Sequence, residues 1–297
     1  MSNAMTFAAF RAASGFSRAL PGFVSDDFAR PIGFGANVLR RARRETIERH
    51  LRRVDPSLDG WQLRQAVQQA FDSYARYWIE SFRLPRTSAR IVDAGFSVEG
   101  YEHITQGLAR RRGVILALPH LGGWEWAGRW LADNGNRVTA IVEQIDPPEL
   151  FDWFARLRND LGMTVVPLGP DAGRAVLRAL AGNEIVCLLC DRHIGGSGGV
   201  DVEFFGEHTT LPAGPATIAL RADAPLLPVG VYFTPQRNGH HAIVRPPVSM
   251  TRDGRLRDDV ARVTQTLTTE LEWLIRRAPS QWHLFQPNWP SDPGYRA

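Results

Sequence analysis

The stretch Val114-Ile-Leu-Ala-Leu118-Pro-His120-Leu-Gly-Gly-Trp-Glu125 decides the fold. A short apolar run, the pattern of a buried strand, leads directly into a proline, a histidine and two glycines. Helical spacing then takes over from Trp124 to Asp133. The same alternation recurs downstream, with strands expected at VTAIV (138–142), TVVPL (164–168), IVCLL (185–189), LLPVGVYF (226–233) and HAIVRP (241–246). Helical patterns fill 148–159, 173–181 and 213–222. Strands alternating with helices imply an α/β fold, a mostly parallel sheet covered by helices on both faces, with its active site beyond the carboxyl ends of the strands. His120 stands at such an end and Glu125 opens the next helix, so both face the expected cleft. A carboxylate hydrogen-bonded to an imidazole holds it in one tautomer and stabilises the imidazolium, which a general base near neutral pH requires. Gly122 and Gly123 permit the turn that brings the two together.

Upstream of residue 113 the pattern is helical. Phe7, Phe10, Ala13 and Phe16 form one apolar stripe, interleaved with Arg11 and Arg18, and Phe71, Tyr74, Trp78 and Phe82 form another. The second reads as core; the first also suits a membrane interface. No repeat or linker-like stretch divides the chain, so 1–297 reads as one domain, with 1–100 mainly helical and membrane-docking and 113–290 the α/β catalytic part.

All 35 basic residues are arginine, against 31 acidic residues, and seven of them (Arg40, Arg41, Arg43, Arg44, Arg49, Arg52, Arg53) crowd into 40–53. A planar guanidinium grips phosphates and carboxylates bidentately. Such density suits an anionic membrane surface, a nucleotide cofactor or nucleic acid; a solvated helical face is the plainer alternative. Apolar runs stop far short of a membrane span, so attachment is expected to be peripheral. Two cysteines cannot form a disulfide framework, which favours a reducing compartment, and Met1-Ser-Asn-Ala4 reads as a remnant of expression rather than a signal peptide.

The string HLGGWE (120–125) resembles the H-x4-D/E motif of glycerolipid and lipid A acyltransferases. DRH at 191–193, VEFFGE at 202–207, LPAGPA at 211–216 and WHLFQPNW at 282–289 extend the likeness over roughly residues 70 to 290. Together they are similar to the phosphatidylinositol mannoside acyltransferases within the late lipid A acyltransferase family. That resemblance implies transfer of a long acyl chain, palmitoyl, from acyl-CoA to the 6-hydroxyl of a mannose on a mannosylated phosphoinositide, at the cytoplasmic face of the cell membrane. It implies no resident cofactor, no metal and no nucleic-acid partner; acyl-CoA is the co-substrate. His120 is the implied base. Its partner is either Glu125, from the general motif, or Asp191, which opens DRH where the mannoside enzymes carry Glu-Arg-Asp; this chain departs from them at Asp191 and His193. Asp191 is favoured because it follows a strand directly. The likeness also places Arg158 and Arg192 near the substrates, and Glu143, just past a strand, could accept hydrogen bonds from sugar hydroxyls. A thioester hydrolase using His120, or a lipid carrier without catalysis, are the competing classes.

Three further motifs are set aside or reassigned. Gly195-Gly-Ser197-Gly-Gly199 spells a nucleophile elbow, but the extended VDVEFF follows where an elbow needs a helix, so Ser197 and its loop are expected to meet the donor's phosphates or thioester. Cys187 and Cys190 lie within an apolar run and read as buried thiols, and Gly33-Phe-Gly35 follows no strand and is no dinucleotide fingerprint. Trp282 and His283 are expected to border the acceptor groove.

Overall fold

The computed structural model describes residues 14–15, 25–144, 147–195 and 198–295. From residue 25 the described residues form α1 (Ser25–Leu39), α2 (Arg41–Val54) and α3 (Gly60–Arg83). The next segments are α4 (Ala89–Ala94), β1 (Phe96–Glu99), α5 (Tyr101–Ala109), β2 (Val114–Leu118), α6 (Trp124–Asp133) and β3 (Val138–Val142). They continue through α7 (Pro148–Asp160), β4 (Met163–Pro167), α8 (Ala172–Ala181), β5 (Ile185–Leu189) and the hairpin β6 (Gly199–Phe204) with β7 (Glu207–Pro212). The chain finishes with α9 (Gly214–Ala222), β8 (Leu226–Phe233), β9 (His240–Val244) and α10 (Leu256–Arg276).

Seven strands form one sheet in the order β1-β9-β8-β2-β5-β3-β4, parallel except for the β8–β9 pair. Strand β2 sits near the middle and alternates as a pleat demands. Ile115 and Ala117 join one core with Val176 and Leu180 of α8, Ala219 of α9 and Leu271 and Leu274 of α10. Val114, Leu116 and Leu118 join the other with Ile104 of α5, Trp126 of α6 and Phe154 of α7. Helices on both faces explain why the run VILAL carries no polar residue.

The α/β architecture matches the expectation, and the strands at 114–118, 138–142, 185–189 and 226–233 coincide with it residue for residue. β1 was not expected, and β9 runs against its neighbour β8. The Phe71-to-Phe82 stripe is core: Phe71 packs in a satellite cluster with Ile47, Leu63 and Phe285, and Phe82 belongs to the main core. The Phe7-to-Phe16 stripe lies outside the described residues, and Gly33-Phe-Gly35 lies within α1. No described helix is long and apolar enough to cross a membrane.

Candidate active site

Parallel neighbours β2 and β5 hold Leu118 opposite Leu189, and the Cys190 N–H donates to the Leu118 carbonyl at 2.8 Å. His120 and Asp191 each come two residues past that register. Equal offsets on adjacent strands bring them face to face: His120 Nδ1 lies 2.6 Å from Asp191 Oδ1, and the His120 backbone N–H donates to Oδ2 at 2.9 Å. An ionised carboxylate only accepts, so Nδ1 carries the hydrogen and Nε2 is the basic nitrogen of the neutral ring. The His120 side chain is 19% exposed and that of Asp191 is 0% exposed.

Burial alone would push the Asp191 carboxyl up. The adjacent imidazole, the Trp282 indole N–H and the His120 amide outweigh it and hold the acid below its ordinary value. The indole N–H donates to Oδ2 at 2.7 Å, and the Asn288 side-chain amide donates to the Asp191 carbonyl at 3.1 Å. Trp282 therefore does not border a groove as expected; it is buried behind the acid, with His120 in front.

The two glycines after His120 are required for separate reasons. Gly122 has φ +59°, and a Cβ there would lie 2.1 Å from the Val231 carbonyl oxygen. A Cβ on Gly123 would meet the His240 ring at 2.6 Å, and that ring stacks on Trp126 at 4.4 Å. Trp124 follows and meets the His120 ring edge-on at 5.6 Å, backed by Tyr77 at 4.2 Å.

Glu125, the other candidate acid, is buried and takes Arg158 and Tyr77 as partners rather than His120. Arg158 donates from Nε at 3.1 Å and also from Nη2, and the Tyr77 hydroxyl donates at 3.2 Å. Burial pulls the Arg158 pKa down, but Glu125 and Tyr77 together more than offset this and leave it above its ordinary value. Arg158 is thus drawn into a buried ion pair with Glu125. Arg192 and Glu143, from the ends of β5 and β3, form a half-buried ion pair with each other. Ser197 lies outside the described residues. Cys190 is buried and Cys187 half-buried; burial pushes the Cys187 thiol up to about 12 and Cys190 also up, which suits inert thiols.

The segment after α10 ties the site to the N-terminal helices. The His283 N–H donates to the His120 carbonyl at 2.7 Å. The His283 ring is buried beside Tyr74, Tyr77 and Trp124, with Nε2 2.8 Å from Ser73 Oγ of α3 and no hydrogen-bond partner at Nδ1. Burial, with His120 nearby, pushes its pKa down to about 3. Asp292 Oδ2 accepts from the Asn288 and Trp289 backbone N–H groups and stands 3.2 Å from His50 Nε2, and Oδ1 forms an ion pair with Arg53 of α2 at 2.8 Å. Arg49 and Arg53 therefore face inward to Asp292, whereas Arg40, Arg41, Arg43 and Arg52 are exposed. Sequence reading missed Ser73, His50, Asp292 and Asn288, whose partners are far apart in the chain.

The sequence profile of the family described as bacterial lipid A biosynthesis acyltransferase matches residues 5–291. The chain is 36% identical over 265 residues to a phosphatidylinositol mannoside acyltransferase of Mycolicibacterium smegmatis, covering 87% of this chain and 84% of that protein. A protein of the same name from Mycobacterium tuberculosis is 37% identical over 230 residues, 75% of this chain and 70% of its own length. A lipid A biosynthesis lauroyltransferase of Escherichia coli is 25% identical over 256 residues, 84% of this chain and 80% of its own.

His50 and His283 are both held below the ordinary histidine value of 6.5, chiefly by burial. Below about pH 6.5 the unfolded chain therefore binds protons that the folded chain does not, and stability falls as pH falls. Urea unfolding should show His283→Phe with a slope shallower than the unsubstituted protein by about 0.7 kcal/mol per pH unit near pH 6.5, rising to about 1.4 kcal/mol per pH unit near pH 5. Equal slopes would refute a neutral, buried His283.

Proposed function

Because the chain belongs to the bacterial lipid A biosynthesis acyltransferase family, we propose that it moves a palmitoyl chain from acyl-CoA to a mannose 6-hydroxyl of a phosphatidylinositol mannoside. The acceptor class rests on the mannoside acyltransferases among its relatives. The observation that carries the chemistry is the 2.6 Å contact between His120 and Asp191 at the carboxyl edge of the sheet.

A thioester is already activated, and its thiolate leaves readily with a pKa of about 8.5 for a simple thiol. The sugar hydroxyl is the weak partner. His120 Nε2 takes its proton as the oxygen attacks the thioester carbonyl carbon, while Asp191 stabilises the imidazolium so formed. The carbon–sulfur bond then breaks, and the imidazolium returns the proton to the departing sulfur. Neither a metal nor a covalent enzyme intermediate is required by this sequence. In this reading Glu143 accepts from sugar hydroxyls and Arg192 meets anionic or carbonyl oxygens at the same mouth. The amides and Ser197 hydroxyl of the glycine-rich loop serve the donor. Glu125 holds Arg158 in place and contributes through structure.

The acceptor is a lipid, so the protein works at a membrane. Helix α1 exposes Phe34 (62%), Val38 (58%) and Leu39 (81%), and Arg40, Arg41 and Arg43 follow on the surface. Apolar side chains with adjacent guanidinium groups suit peripheral binding to the anionic cytoplasmic leaflet. Arg49 and Arg53 are already paired internally and add little.

Incubation with palmitoyl-CoA, with and without mannosylated phosphoinositide, tests the activity. Acyl transfer only when the acceptor is present supports it; acceptor-independent release of fatty acid, or binding without turnover, argues for a hydrolase or a carrier. His120→Ala should lower transfer by two orders of magnitude or more, since general-base catalysis contributes roughly 10²–10⁴-fold. Asp191→Asn should lower kcat more than Glu125→Gln does, with the latter detected mainly as a lower Tm; the reverse ranking of kcat would transfer the base-assisting role to Glu125. High salt should strip most of the protein from anionic vesicles in flotation, and salt-indifferent binding would discount the arginine contribution.

A further inference from the structure

A second feature of the acid concerns the residue behind it. Asp191 is fully buried, and three donors reach its carboxylate: the His120 ring, the His120 amide and the Trp282 indole. Oδ1 takes the ring at 2.6 Å, whereas Oδ2 takes the amide at 2.9 Å and the indole at 2.7 Å. The side-chain dihedrals of an aspartate leave the carboxyl group free to turn about its last bond, and such sp³–sp² torsions are broad. The His120 ring and amide restrain the two oxygens only relative to His120 itself. The indole is a second donor on Oδ2, from a segment 91 residues away, and it ties the carboxylate to the scaffold behind it.

Trp282 is well placed for this. Its own position is fixed by the bridge between Leu121 and Trp282, by the His283 N–H on the His120 carbonyl, and by ring contacts with Phe204, Phe205, Trp289 and His50. An indole N–H is a donor with no acceptor character, so the direction of this hydrogen bond is unambiguous. Donation to an ionised acceptor is among the stronger hydrogen bonds available to a protein.

We propose that Trp282 is a positioning residue for the acyl transfer: its indole N–H locks Oδ2 so that Oδ1 stays directed at His120 Nδ1 and Nε2 stays aimed at the acceptor hydroxyl. The inference rests on the His120–Asp191 base assigned above. It gives the tryptophan a role that acts through the acid, with no contact to substrate.

The test is a double-mutant cycle on the full chain, using Trp282→Phe, Asp191→Ala and the pair, with kcat and KM for acyl transfer. Trp282→Phe keeps an aromatic ring and removes the donor. It should lower kcat about tenfold, the equivalent of a charge-assisted hydrogen bond, with KM nearly unchanged. In the Asp191→Ala background the same substitution should have no further effect, because no carboxylate is left to orient. A loss that simply adds in both backgrounds marks a packing role and overturns the proposal, as does full kcat in Trp282→Phe. If Asp191→Ala is itself silent, the base assignment fails and takes the inference with it; a costly Asp191→Ala beside a silent Trp282→Phe defeats the inference alone. Should Trp282→Phe fail to fold, the indole N–H resonances of the nine tryptophans decide. One of them should move upfield in Asp191→Ala, and nine unmoved resonances would overturn the proposal.

Discussion

A carboxylate sealed from water is the constraint around which this molecule is arranged. An uncompensated buried charge is so unfavourable that such a group either neutralises or gathers donors. Asp191 gathers them from two places, His120 after β2 and Trp282 after α10, and Asn288 takes its backbone carbonyl. The central strand pair brings the first donor and the segment following α10 brings the rest. That segment is in turn gripped by His50 and Arg53 of α2 through Asp292. The His120–Asp191 pair is therefore held by the sheet in front and by a belt of polar contacts behind.

The motif with two glycines supplies one candidate acid, Glu125, and DRH supplies the other, Asp191, and the structure gives them different partners. Glu125 opens α6 beside His120 in sequence, yet a helical first turn carries its side chain to Arg158 of α7 and Tyr77 of α3. Asp191 is 71 residues from His120 but only one strand away. Proximity along the chain is a poor guide where a sheet supplies the neighbours.

Much of this was legible in the sequence. Short apolar runs marked the central strands, because a strand covered on both faces has no reason to carry polar residues. His120 and Asp191 were visible as strand-end groups, and once β2 and β5 are neighbours in register, their equal offset from Leu118 and Leu189 follows. β1, with its alternating half-buried pattern, carried a weaker signal. The direction of β9 was legible in the connection 234–239, which is too short for a parallel crossover, but the alternation of strands and helices upstream overshadowed it. Trp282 looked like a groove residue since an aromatic near a site has many uses, and its single polar atom finds its partner 91 residues back. The arginine-rich helix was the most misleading element: composition showed one basic face, whereas Asp292 claims Arg49 and Arg53 for the interior.

The belt behind the acid also sets an order of events during synthesis. Strands β2 and β5 can pair, and His120 can meet Asp191, once residue 191 has left the ribosome. The indole that completes the acid's shell arrives 91 residues later, and the partner of His50 arrives 242 residues after it. Contacts of such long separation form late, because loop closure must be met before they contribute. Until the segment after α10 arrives, the Asp191 carboxylate lacks one of its three donors. The His120–Asp191 pair gains its last donor only once Trp282 is available, so the make-up of the site reports whether the segment after α10 has docked.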